Sequence, residues 1–178
     1  MIKSKEEYFL YLSEDKKSLG ENLKRCGIFK HEIWKYQILL RKCEYINNCK
    51  GVLYKPYLLY LQYRRNKLGT KLGFSIPINV FGPGLSIAHR GTIVVNSKAR
   101  IGCNCRIHVC TNIGTQLNGD KAPIIGNNVY IGPGAKIFGD IKIADGVAIG
   151  ANSVVNKSFY EKYITIAGVP ARKIGDRK

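Results

Sequence analysis

The side chains best suited to moving a proton near neutral pH are few in this 178-residue chain: three histidines, His31, His89 and His108. A neutral imidazole can take the proton of a hydroxyl as that oxygen attacks an electrophile. Six cysteines, at positions 26, 43, 49, 103, 105 and 110, form no Cys-x-x-Cys pair and have no histidine at finger-like spacing. No metal site is expected from them, and without export they should stay free thiols, some packed as small apolar residues. The net charge is +17, with 16 Lys and Arg against 7 acids in residues 1–72 and 13 against 5 in residues 73–178. An excess spread this evenly attracts nucleic acid, anionic membranes or polyanionic ligands. No nucleic-acid motif accompanies it, so the first partner is excluded.

What positions these residues is a repeat. Stepping by six from Val95 meets Ile101, Ile107, Ile113, Gly119, Ile125, Ile131, Ile137, Ile143, Ile149 and Val155; ten of the eleven positions are Ile or Val. About a quarter of the chain is Ile, Leu or Val, so chance supplies two or three. A period of six is neither that of a helix nor that of strand alternation. It predicts a coil of three flat faces, eighteen residues per turn, with the aliphatic pointing inward and successive coils stacked ~4.8 Å apart. Small residues follow the aliphatic, as at Gly102, Gly114, Gly126, Gly132 and Gly150. Their presence is attributed to a corner conformation that bulky residues resist. A second small or β-branched set falls four residues on, at Ala99, Cys105, Thr111, Val129, Ala135, Val147 and Ser153.

Two irregularities stand out. From Ile87 to Val95 the step is eight residues rather than six, which predicts a bulge pushing His89 outward. His89 and His108 then fall on neighbouring rungs, with His108 also facing out. Between Gly114 and Pro123 the inward aliphatic is missing, so TQLNGDKAP should leave the coil as a loop. Residues 1–72 form a separate helical region by their three- and four-residue apolar spacing, with Ile33, Trp34, Gln37, Ile38 and Arg41 marking one face and its edge. Breaks are expected near Gly27, Gly51 and Pro56. His31 reads as structural. The stretch YKPYLLYLQYRRNKLG reads as a helix on the coil's open end, or as a basic aromatic face making peripheral contact with an anionic membrane. No apolar run reaches the ~18–20 residues of a membrane span. The N-terminal stretch carries acids and lacks a signal-peptide core, predicting a cytoplasmic protein.

From about Leu72 to Gly175 the chain resembles the hexapeptide-repeat acyltransferases of left-handed parallel β-helix fold, in particular their serine acetyltransferase branch. The resemblance is carried by IPINVFGPGLSIAHRGTIVVNSKARIG, NCRIHVCTNIG, NNVYIGPGAKIFGDIKIADGVAIGANSVV and AGVPARKIG. More narrowly, IPxNVFGPGLxIAHxGTIVVN and the aromatic helices before it look like O-acetyltransferases of surface-polysaccharide clusters. The resemblance implies a mainly β fold, residues 73–178, behind the helical region 1–72. It also implies a homotrimer, direct acetyl transfer from acetyl-CoA, a histidine base and no metal. His89 falls at the base's position, with His108 the other catalytic candidate. Coenzyme A is implied along a groove between subunits, at Thr115, Gly132, Pro133, Ala151, Lys157, Arg172 and Lys173.

The chain also departs from that branch. Its carboxylate before the histidine is here Ala88, the one further upstream is Phe74, and the Arg-His pair before proline in the loop is Lys121-Ala122. An amino-acid acceptor has an ammonium that wants a carboxylate and a carboxylate that wants Arg. The substitutions therefore point to a wider, more apolar cleft and a sugar hydroxyl of a surface polysaccharide or its precursor as acceptor. Phe74, Asn79, Asn112, Gln116 and Lys121 are the expected acceptor-binding residues, with Asn118 beside them. Serine O-acetylation is the enzyme alternative, and a non-catalytic β-helix that binds glycans or partners is the alternative of another class. A zinc hydratase of the same fold needs three converging histidines, which the spacing does not supply.

Overall fold

The computed structural model describes residues 1–20 and 31–177; the break expected near Gly27 lies outside them. Helix α1, Lys5–Leu19, opens on Ser4, whose hydroxyl accepts the Glu7 N–H at 3.2 Å. Acids in its first turn and lysines in its last complement the helix dipole. Helix α2, Glu32–Cys49, is capped by His31, whose Nδ1 accepts the Trp34 N–H at 3.2 Å. A 3₁₀ turn, Val52–Tyr54, leads into α3, Lys55–Leu72. Pro56 sits in the first turn of α3. A missing N–H costs nothing there, so this proline opens a helix where a break was expected.

The chain then winds into a left-handed parallel β-helix of three faces. The first face is formed by β1 (Phe74–Ser75), β3 (Ile93–Val95), β6 (Thr111–Gly114), β9 (Lys136–Phe138) and β12 (Val154–Val155). The second is formed by β4 (Arg100–Ile101), β7 (Ile124–Ile125) and β10 (Lys142–Ile143). The third comprises β2 (Ser86–Ile87), β5 (Arg106–Ile107), β8 (Tyr130–Ile131), β11 (Ala148–Ile149), β13 (Ile164–Gly168) and β14 (Ala171–Asp176). Register follows the six-residue step: Ile107 lies over Ile131, Ile101 over Ile125, and Val95 over Ile113. Every pairing is parallel except β13 with β14, a closing hairpin outside the repeat.

The predicted inward positions are the core. Ile107, Ile131, Ile137, Ile149 and Val155 are fully buried, and so is the second set, Ala99, Ala135, Val147 and Ser153. The small residues after the aliphatics owe their place to something other than backbone conformation. The left-handed residues are Asn104, Cys110, Asn128, Gly134, Gly146 and Asn152, two positions further on. At Gly102 a Cβ would lie 2.8 Å from the Gly126 carbonyl, and at Gly82 it would lie 2.8 Å from that of Gly102. Those glycines let successive corners stack.

The helices join this core through Leu19, Ile33, Trp34, Tyr36 and Leu40. They also grip the chain where it enters the coil. Arg41, expected at the edge of its helical face, is wholly buried. Its guanidinium donates to Asp15 at 2.8 and 3.2 Å, to Glu44 at 3.0 Å, and to the carbonyls of Phe81 and Gly82 at 2.9 and 2.7 Å. Asp15 Oδ1 also accepts the Gly84 and Leu85 N–H groups, both at 2.9 Å. Gln37 Nε2 donates to the Leu85 carbonyl at 2.8 Å. Buried charge is tolerable only with such complete partners. Segment 79–85 is thus fixed on the helices immediately before β2.

Candidate active site

One edge of the prism, between the third and first faces, collects both histidine candidates and four of the coenzyme candidates. On its lowest rung the lengthened corner after β2 turns His89 out into solvent. The next rung, in register through Ile87 over Ile107, carries His108. The two rings lie 5.9 Å apart, and His108 in turn lies 5.1 Å from Tyr130 on the rung above. Higher on the same edge come Gly132 and Pro133, then Gly150 and Ala151, linked by the Asn152 N–H to the Pro133 carbonyl at 2.8 Å. A Cβ on Gly132 would sit 2.7 Å from the Ile149 carbonyl. Glycine there lets this corner stack on the next, as at Gly102. Arg172 on β14 pairs with Ala167 at the top of this edge and is exposed.

The electrostatics distinguish the histidines. Burial first, then the positive charge of Arg106 and the neighbouring His89, hold the His108 imidazole below its ordinary pKa. Arg106 Nε donates to His108 Nε2 at 3.4 Å. That leaves the proton of the neutral ring on Nδ1. Both effects bias His108 toward the neutral ring, oriented by Arg106. Beside His89, Arg90 bridges to Glu32 at 3.1 Å, and Lys71 bridges to the same carboxylate at 2.5 Å. Glu32 opens α2, so the helical region holds the residue after His89 as well as the segment before it.

A second edge, between the first and second faces, carries Thr115, Gln116, Lys121 and Lys157. Thr115 and Gln116 start the predicted loop, which leaves the coil after β6 and returns at β7. Gln116 lies against Gly139 on the next rung. Lys121 pairs with Asp140 at 2.8 Å and fixes the loop's far end. Lys157 follows β12 on this edge, its ammonium 5.5 Å over the Phe159 ring. Asn112 is exposed on the first face between the two edges, flanked by Val94 and Lys136.

Three candidates are placed elsewhere than expected. Phe74 lines no apolar cleft beside His89. Its ring is buried edge-on to Tyr36, 5.2 Å between centroids, where α2 covers the open coil. Asn79 is a latch, exchanging side-chain hydrogen bonds with Asn48 at 2.7 and 3.0 Å while its N–H reaches Glu44 at 2.8 Å. Lys173 is engaged by Glu161 and Asp176 at 2.5 and 2.8 Å, while Arg172 has no ion-pair partner among the described residues. Arg106 and Tyr130 escaped the sequence reading. Both precede an inward isoleucine on the histidine face, and that register was the available signal. Among the described residues no group of three His, Cys, Asp or Glu could hold a metal ion.

Comparison with known proteins agrees with this geometry. Residues 122–157 match the family described as bacterial transferase hexapeptide (six repeats). A serine acetyltransferase of Buchnera aphidicola is 37% identical over 116 residues, covering 63% of this chain and 44% of its own. The chain spans less than half the length of the curated relatives it matches. Among solved structures, the soybean serine acetyltransferase apoenzyme superposes with a TM-score of 0.78 at 26% identity, over 95% of this chain and 69% of that one. A Brucella abortus serine acetyltransferase in complex with coenzyme A gives a TM-score of 0.73 at 27% identity, over 98% and 70%.

Proposed function

We propose that the chain is an acetyl-CoA-dependent O-acetyltransferase with His89 as general base. The observation that carries this reading is the histidine edge itself. An exposed imidazole stands at the foot of a column of small residues, with Arg172 at its head. The acceptor hydroxyl gives its proton to His89 as its oxygen attacks the thioester carbonyl carbon. The carbon–sulfur bond then breaks, and the departing thiolate of coenzyme A takes that proton from the imidazolium. Direct transfer needs both substrates on one edge, and stacked rungs supply that at ~4.8 Å steps. Gly132, Pro133 and Ala151 would lie along the pantetheine arm, with Arg172 near its phosphates and Lys157, on the second edge, supplied by a neighbouring subunit.

The cavities of 220–400 Å³ elsewhere in the chain are lined by neither His89 nor His108. An open edge excludes no water by itself. A homotrimer would cover it, setting the Thr115–Lys121 loop of one subunit against the histidine edge of the next.

Serine is the acceptor that the names of the relatives support. A carbohydrate hydroxyl is the second reading, favoured by residues 74 and 88. A buried phenylalanine and an alanine stand where the resembling branch has carboxylates, and Glu32, which pairs with the adjacent Arg90, is also held by Lys71. The deciding experiment follows thioester consumption with acetyl-CoA, offering serine or a panel of sugars and glycan fragments, for the wild type and His89→Ala. Turnover that falls ~10²–10⁴-fold in the variant supports the base; the acceptor that turns over selects between the readings. Failure to bind acetyl-CoA would overturn the enzyme reading in favour of a binding scaffold.

A further inference from the structure

Helix α3 has two unlike faces. Leu61, Gly69 and Leu72 face the protein and are buried. The opposite face repeats at three- and four-residue spacing through Leu59, Tyr60 and Tyr63, exposed at 65, 52 and 63%. The 3₁₀ turn before it continues the surface with Val52 at 71% and Leu53 at 94% exposure. Single exposed leucines are ordinary, but a contiguous group of this kind marks an interaction surface.

Charge identifies what meets it. Between Glu44 and Asp120 the chain has no acidic residue, and α3 exposes Lys55, Arg64 and Lys67, while its Lys71 is bridged to Glu32 and its Arg65 turns inward beside Tyr36. Cations lie over the aromatic rings of the same surface: Lys50 is 5.6 Å from the Tyr54 ring, Lys42 is 5.4 Å from Tyr57, and Arg64 is 5.8 Å from Tyr60. A second copy docked face to face would set these cations against themselves, with no acid on α3 to relieve them. Nucleic acid would answer the charge and the rings but has no use for Val52, Leu53 and Leu59. An anionic bilayer answers all three groups. Aliphatic side chains enter the acyl boundary, tyrosines favour the headgroup level, and Lys and Arg meet lipid phosphates. We propose that the outer face of α3 and the 3₁₀ turn before it dock the protein peripherally on an anionic lipid surface. Among the described residues no helix is long and apolar enough to cross a membrane, so contact by this face is reversible.

The test is co-sedimentation of the full chain with vesicles of about 30% phosphatidylglycerol in phosphatidylcholine, against pure phosphatidylcholine. Binding should be at least about tenfold tighter to the anionic vesicles and should weaken with added salt. The pair Leu53→Ser and Leu59→Ser keeps the charge and should lower binding about tenfold or more. The pair Lys55→Gln and Lys67→Gln should lower it about fivefold per charge. Leu117→Ser, at a leucine 94% exposed on the distant loop, should leave binding unchanged. All substituted side chains are exposed, and thermal melts verify that each variant folds. Equal binding to both vesicle types, or binding insensitive to Leu53 and Leu59, would overturn the proposal. So would a change in sedimenting mass without vesicles, which assigns the face to a second copy, or competition by single-stranded RNA that the serine pair abolishes.

Discussion

Asp15→Asn tests whether the helical region fixes the histidine edge through buried charge. In the wild type, Asp15 Oδ2 lies 2.8 Å from Arg41 Nε, and Oδ1 accepts from Arg41 Nη2, Gly84 N and Leu85 N. Asparagine keeps one oxygen for the two backbone amides but turns an NH₂ toward Arg41, donor against donor. Both side chains are fully buried, so the guanidinium loses a charge partner without gaining water. Breaking such a pair costs about 3–5 kcal/mol. Asp15→Ala adds two orphaned N–H groups at ~1–3 kcal/mol each, partly relieved by relaxation. For a chain of this size Tm should fall by ~2–4 °C per kcal/mol, or ~6–20 °C for the asparagine variant. The assay is thermal unfolding followed by circular dichroism, with hydrogen exchange at Gly84 and Leu85 as the local readout. Their exchange should quicken before global unfolding, because the loss is at the strap that leads into β2 and His89. A cycle with Arg41→Met should be strongly non-additive, since the second removal no longer breaks a pair. Additive costs, or a loss below about 1 kcal/mol for Asp15→Asn, would refute the coupling.

Further outcomes follow from the site and the corners. His108 is held below its ordinary value of 6.5 by burial and then by Arg106 and His89, and His31 is lowered by burial and then by Arg90. The unfolded chain therefore binds more protons between each lowered value and 6.5. Stability should fall as pH drops through that window and be fully recovered above it. Arg106→Gln should move the His108 titration, read by NMR, part of the way back up, because burial remains. His108→Asn should lower turnover less than His89→Ala if His108 orients or polarises rather than accepts the proton. Gly102→Ala should cost about 1–3 kcal/mol by overpacking, because its Cβ would lie 2.8 Å from Gly126, measured by denaturant unfolding. Gly114→Ala, with its nearest atom at 3.4 Å, should be tolerated.

The coil was legible because its code is local. A six-residue step fixes which side chains point inward whatever lies around it, and Ile107, Ile131 and Ile149 fill those positions. Features that depend on distant partners were not readable from spacing. Arg41 falls on a helix face and looks like its edge, yet it sits in the core because Asp15 and the carbonyls of residues 81 and 82 converge on it. Asn79, by its type, and Phe74, by its place where the resembling branch has a carboxylate, suggest acceptor binding, and the helices claim both. The glycines after the aliphatics were placed correctly for a different reason: stacking of neighbouring corners, which only the register reveals.

The candidate site lies where the regular code is interrupted, and both interruptions border the same face. The corner between β2 and β3 takes two extra residues, Ile87 to Val95 in eight steps, while its partners above run from Ile107 to Ile113 in six. The surplus must leave the prism, since the rungs on either side are hydrogen-bonded in register, and it carries His89 out with it. The corner after β6 takes one whole extra hexad, so Ile113 is followed by Ile125 rather than by position 119, and register survives unchanged. That surplus forms the loop carrying Gln116 and Lys121. A stacked coil has little freedom to vary inside its rungs, because each inward residue packs against the next. Its chemistry must be carried by insertions at the edges. The two insertions flank the first face, so a neighbour seated on that face would bring one subunit's loop to another's histidines. Loss of turnover when the loop residues Gln116 and Lys121 are replaced by alanine, with acetyl-CoA binding retained, would support this arrangement; unchanged turnover for every acceptor would leave the loop without a catalytic role.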